Sequence, residues 1–77
     1  MTIADFTSQF EEQILMLGKG QLTPDFVLKD SRNWDSMAII ETISLIDDNL
    51  DIEISTEHLI GCKTFGDILN LLGDKLN

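Results

Sequence analysis

From Ser36 to Leu50 the large apolar residues Ile39, Ile43, Ile46 and Leu50 recur at steps of three and four. That period belongs to a helix buried along one side and excludes a half-buried strand, whose side chains alternate every second residue. Ser36 stands at the head of the pattern, where a helix N-cap belongs, so the spacing predicts a helix from about Ser36 to Leu50 capped by Ser36. Other segments read as helices too. Thr2 and Asp5 read as a capping-box variant, and Ile3, Phe6, Phe10, Ile14 and Leu17 predict a first helix stopped by Gly18 or Gly20. Ser55 or Thr56 opens a short helix through Ile60, ended by Gly61. Thr64 and Asp67 frame a last helix whose apolar stripe is Phe65, Ile68, Leu69, Leu72 and Leu76.

Two segments lack that period. Residues 19–34 hold the only proline, Pro24, and read as a long ordered loop pinned to the core by Phe26 and by Val27 or Leu28. Ile52 and Ile54 alternate with acids, but one short strand has no partner to pair with, so a loop is expected. The fold class is therefore all-α: a small four-helix bundle over residues 1–77, one domain, with a long loop between helices one and two.

At 77 residues the chain is near the size where one core is only marginally stabilising, and a private catalytic cleft does not fit within it. Hydrophobic residues make up 43% of it, too many for a disordered acidic tail, so a folded domain is expected. The formal net charge of -9 argues against nucleic acid and anionic membranes as partners and points to basic protein surfaces. A single cysteine, Cys62, excludes an internal disulfide. The start Met1-Thr2-Ile3-Ala4-Asp5 lacks the basic and apolar regions of a signal peptide, and no apolar run approaches the roughly 20 residues that span a bilayer. The expectation is a cytoplasmic monomer that does not insert into membranes.

The charge is unevenly placed. Between Arg32 and Lys63 there is no lysine or arginine, while Asp35, Glu41, Asp47, Asp48, Asp51, Glu53 and Glu57 fall inside that window. At about 100° per residue, Met37, Ile40, Glu41, Ser44, Asp48 and Asp51 lie opposite the apolar stripe of helix two. Two exposed apolar side chains set among carboxylates, beside a serine at a helix start, read as a docking surface. Met37, Ile40, Glu41 and Asp48 are its expected partner-binding residues.

The chemistry-bearing residues are few. A nucleophilic Ser36 needs a base oriented by a third group; His58 is the only histidine, and no glycine-rich elbow surrounds the serine, so no catalytic residue is assigned and the chain is not expected to be an enzyme. Asp47-x-Asn49-x-Asp51 looks like the start of a calcium loop, but Ile52 replaces the required glycine and His58 the closing glutamate, so no metal site is assigned. Cys62 reads as a small core residue, His58 as a surface residue, and Trp34 as packing beneath the junction of loop and helix.

Taken together, Asp35-Ser36-Met37, Glu41, the acidic turn Asp47-Asp48-Asn49-Leu50-Asp51, the loop Ile52-Glu53-Ile54-Ser55 and Lys63-Thr64-Phe65 resemble an acyl carrier protein, a family whose motif is Asp-Ser-Leu. The likeness runs without gaps from about Asp35 to Leu72 and falls to pattern alone in the first third. Met37 stands where the family usually has leucine, and Trp34 precedes the aspartate where many members carry a smaller residue. The resemblance implies a covalent 4'-phosphopantetheine on Ser36, next to Asp35, attached by a phosphopantetheinyl transferase and loaded by acyl- or aminoacyl-transferring enzymes with basic docking surfaces. Within that chemistry the alternative is an aminoacyl or peptidyl carrier, including the D-alanine carriers, some of which also read Asp-Ser-Met. From another class, the alternative is an unmodified acidic helical adaptor.

Overall fold

The capping signals translate directly into helix starts. A computed structural model of the chain describes residues 2–76, with α1 over Ile3–Gln9, α2 over Ser36–Leu50, α3 over Thr56–Ile60 and α4 over Phe65–Leu72. Among the described residues these four are the α-helices and there is no strand; Val27 and Thr64 form an isolated antiparallel bridge. The Thr2 hydroxyl accepts the Asp5 N–H at 3.0 Å, and the Thr64 hydroxyl accepts that of Asp67 at 3.2 Å, each closing a capping box. At α3 the partner of Ser55 is His58, whose ring Nδ1 lies 3.2 Å from the Ser55 hydroxyl.

Helix one departs from expectation. After Gln9 the chain passes into a π-helical turn, Phe10–Ile14, and the helix is over at Leu15, three residues before Gly18. Met16, not a glycine, takes the left-handed conformation, with φ 54°. The stop is set by partners rather than by a breaker: Leu17 N–H donates to Glu11 O at 2.9 Å, and the Asn33 amide donates to Leu15 O at 2.8 Å, satisfying carbonyls a helix end leaves free.

The core is built on aromatic rings. Phe10 and Phe65 have centroids 5.1 Å apart, Phe6 lies 5.9 Å from Phe10 and 6.0 Å from Phe65, and all three are fully buried. Such pairs add to the roughly 1.5–3 kcal/mol that full burial of each large apolar side chain contributes. Ile46, Leu59, Ile68 and Leu72 close the cluster from α2, α3 and α4.

Helix two buries Ile46 as the aliphatic spacing indicates, but its inward side is rotated away from the rest of that stripe. Ala38, Thr42, Leu45 and Ile46 are its buried residues, whereas Ile39, Ile43 and Leu50 are only half-buried along one flank. Two small residues, Ala38 and Thr42, are buried beside Ile46 and Leu45 on the helix that packs against the π turn and α3. Thr42 is admitted because its hydroxyl donates back to Ala38 O at 2.8 Å, leaving no unpaired polar atom.

Residues 19–34 are ordered, and Leu28 is the buried anchor expected there; Phe26 and Val27 are half-buried, and Leu22 is a second anchor the sequence reading missed. The segment runs along the α3–α4 connection through Leu28 N–H to Lys63 O (2.9 Å), Phe65 N–H to Phe26 O (3.0 Å) and Gly66 N–H to Pro24 O (2.9 Å). Gly66 fits closely at that crossing, where a Cβ would sit a tight 3.0 Å from Pro24 O. No helix among the described residues is long and apolar enough to cross a membrane.

Candidate functional site

The start of α2 differs from the sequence reading in one consequential way. The N-cap is Asp35, not Ser36: its carboxylate Oδ1 accepts the Ala38 N–H at 2.9 Å and its carbonyl accepts that of Ile39 at 3.0 Å. Ser36 is the first helical residue, and it is exposed. A serine that caps spends its hydroxyl on a backbone amide. Here Asp35 has that role, and among the described residues the Ser36 hydroxyl has no hydrogen-bond partner. The amides of Ser36 and Met37 likewise meet no acceptor there, and they lie at the end of α2 where the helix dipole is positive.

The preceding segment is held rigidly. Trp34 is half-buried, its ring 5.8 Å from that of Phe10, so the residue two positions before the serine is fastened to the aromatic core. Asn33 is tied to Leu15 O by its side chain and to the Ser31 hydroxyl by its amide, at 3.2 Å. The serine is therefore an exposed hydroxyl on a fixed mount.

The face beyond it is as expected. Met37 and Ile40 are 64% and 58% exposed, and Glu41, Ser44, Asp48 and Asp51 are all exposed. Asp35, Ser36, Met37, Ile40, Glu41 and Asp48 are thus brought onto one surface along the outer side of α2, with no lysine or arginine on that helix.

Two features the sequence reading passed over support this surface. Glu11 is buried, and its carboxylate accepts the N–H groups of Leu22 at 2.7 Å and Gly20 at 3.0 Å, clamping the start of the long loop. Those bonds, that from Leu22 foremost, hold its pKa below the ordinary glutamate value. Its sequence signal is slight: it follows Phe10 and so lies beside the apolar stripe. Met16 is the second, 72% exposed and set beside Met37 across a cleft of about 130 Å³ that also reaches Asp35 and Glu41. Nothing in the local sequence announces it.

On the other side of Trp34 a larger groove, about 590 Å³, is lined by Val27, Lys29, Trp34, Ile60, Cys62 and Lys63. Burial pushes the Cys62 thiol above its usual pKa, which keeps it protonated and weakly nucleophilic. The Asp67 carboxylate beside it accepts the Lys63 and Thr64 amides, and these bonds hold its pKa low. His58 is exposed and occupied in the Ser55 capping box. Among the described residues no three His, Cys, Asp or Glu side chains converge as a metal-holding group.

No protein-family model matches the chain, and no solved structure matches it.

Proposed function

We propose that the chain is a carrier protein in which Ser36 bears a 4'-phosphopantetheine arm and presents acyl groups, held as thioesters, to partner enzymes. One observation carries this reading: the cap of α2 is supplied by Asp35, so the Ser36 hydroxyl is exposed, rigidly mounted and free for esterification. The four helices then form a bundle of acyl-carrier type, with the long segment of residues 19–34 bracing the site.

The residues present suit the group. The amides of Ser36 and Met37 have no acceptor among the described residues and belong to the same helix start as Ser36 Oγ, and a helix start favours the negative charge that a phosphodiester there would carry. Attachment from coenzyme A forms a bond from Ser36 Oγ to phosphorus and breaks the pyrophosphate link. The adenosine 3',5'-bisphosphate leaves with the electron pair, and the serine proton passes to a base on the transferase. When bound, the arm supplies a thiol on a flexible tether, which raises the effective concentration of its cargo at a docked enzyme. Asp35 fixes the helix start, Trp34 fixes its approach, and Met37, Ile40, Glu41 and Asp48 offer apolar and acidic contacts to basic partner surfaces.

Intact-mass measurement tests the proposal. Incubation with coenzyme A and a phosphopantetheinyl transferase adds one phosphopantetheine to the wild type and none to Ser36→Ala. An unmodified wild type, or a modified alanine variant, overturns it.

A further inference from the structure

Two unusual backbone features meet at the end of helix one, and both serve to place Met16. The π turn at Phe10–Ile14 inserts an extra residue into the helix, and Met16 then adopts φ 54°, a conformation side chains other than those of glycine, asparagine and aspartate seldom take. The conformation is enforced from both sides by the Leu17–Glu11 and Asn33–Leu15 hydrogen bonds. The product of this constraint is a methionine left 72% exposed. Backbone strain maintained at an exposed apolar side chain points to a role for that side chain.

What lies beside it is a furrow between the end of helix one and α2. Its upper part is the cleft between Met16 and Met37, reaching Asp35 and Glu41. Its lower part is a depression of about 340 Å³ floored by Ile14 and Leu45 and edged by Ile40, Glu41 and Asp48. Ile14 and Glu41 line both parts, so the two adjoin, and every charged residue along them is acidic. Apolar residues edged by polar ones, with every charge acidic, are complementary to one kind of occupant: a helical segment with an apolar stripe flanked by lysine or arginine.

We propose that this furrow seats a basic amphipathic helix of a partner protein, with Met16 and Met37 gripping its apolar stripe from opposite sides. It refines the docking part of the carrier reading by moving the contact off the crest of α2 and onto the seam with helix one. Methionine suits the task, being unbranched, polarizable and able to repack around different side chains.

The probe is a synthetic helical peptide of leucine and lysine at amphipathic spacing, titrated into isotope-labelled protein and followed by amide shifts. A lysine peptide of equal charge without the leucines reports unspecific attraction to the acidic chain. Shifts are expected to concentrate at residues 14–16, 37–41, 45 and 48. Met16→Gly is expected to weaken binding about tenfold, the size of loss typical of an apolar anchor. The same substitution removes the side chain that makes φ 54° unfavourable, so the melting temperature holds or rises, which separates lost contact from lost structure. Met16→Leu keeps most of the affinity. Shifts scattered over the acidic surface, or equal affinity for wild type and Met16→Gly, overturn the proposal. Ser36→Ala is run in the same titration, because the furrow needs no modification of the serine. Localised shifts without phosphopantetheine transfer remove the carrier reading alone, and transfer without localised shifts removes the furrow alone.

Discussion

Asp35→Ala and Ser36→Ala separate the two roles that meet at the start of α2. Asp35 supplies a 2.9 Å bond to the Ala38 amide and a negative charge at a helix N-terminus. Removing a cap of this kind costs about 1 kcal/mol, and losing the charge a further 0.3–1 kcal/mol or so at an exposed site. With an unfolding entropy of roughly 2.1 cal/mol/K per residue, a chain of 77 residues has about 160 cal/mol/K, so a loss near 1.5 kcal/mol lowers the melting temperature by about 9 °C. Ser36→Ala removes an exposed hydroxyl with no partner and stays within about 0.5 kcal/mol, or roughly 3 °C. Asp35→Asn keeps an acceptor oxygen and forfeits only the charge, so it falls between the two. Thermal unfolding followed by far-ultraviolet circular dichroism reads all three. If Ser36→Ala falls as far as Asp35→Ala, the serine hydroxyl is a structural cap and the argument for its being free collapses.

Three other perturbations test the surroundings. Glu11 is bound by backbone amides in the folded state, which depresses its pKa below 4.5; its contribution is complete above that value and is lost as pH falls through the lower folded value. Glu11→Gln is therefore expected to be less stable at neutral pH and to show a shallower further loss on acidification, read from urea unfolding at several pH values; parallel curves would show that the clamp contributes nothing. Reversal of Glu41 and Asp48 to lysine slows association with a basic partner enzyme and flattens its salt dependence, whereas Met37→Ala raises the dissociation rate; stopped-flow binding that is indifferent to salt and to both changes points to another face. Acyl groups of increasing length on a phosphopantetheine arm at Ser36 raise the melting temperature stepwise if the groove beside Trp34 takes up methylenes at about 0.8 kcal/mol each, while short charged aminoacyl groups leave it unchanged; equal temperatures for short and medium acyl loads favour the aminoacyl alternative.

What could be read from the sequence was local. Thr2 with Asp5, Ser55 before Thr56 and Thr64 with Asp67 mark helix starts because each cap is completed within four residues. The exposed side of α2 was legible for the same reason, since Met37, Ile40, Glu41 and Asp48 are placed by helix geometry alone. The failures are tertiary. Gly18 and Gly20 looked like the stop of helix one, but the stop depends on Asn33 reaching back 18 residues to Leu15 O. Of the aliphatic stripe Ile39, Ile43, Ile46 and Leu50, Ile46 is fully buried as its spacing indicates, but Ile39, Ile43 and Leu50 are only half-buried while Ala38 and Thr42, which carry too little hydrophobicity to stand out, are buried beside it. Ser36 looked like the cap because serine and aspartate are equally good caps and adjacent, and only the direction of the Asp35 carboxylate decides between them.

The contact of Trp34 with Phe10 has an optical consequence. The chain contains one tryptophan and no tyrosine, so its long-wavelength absorption and emission come from a single indole. That indole sits two residues from Ser36, touches the aromatic core on one side and walls the groove of Val27, Ile60 and Cys62 on the other. Its emission is thus a label already in place. A red shift reports loss of the Phe10 contact when the core opens, and under the proposed carrier function a blue shift or quenching change on loading would report an apolar chain entering the groove, read on the unlabelled protein.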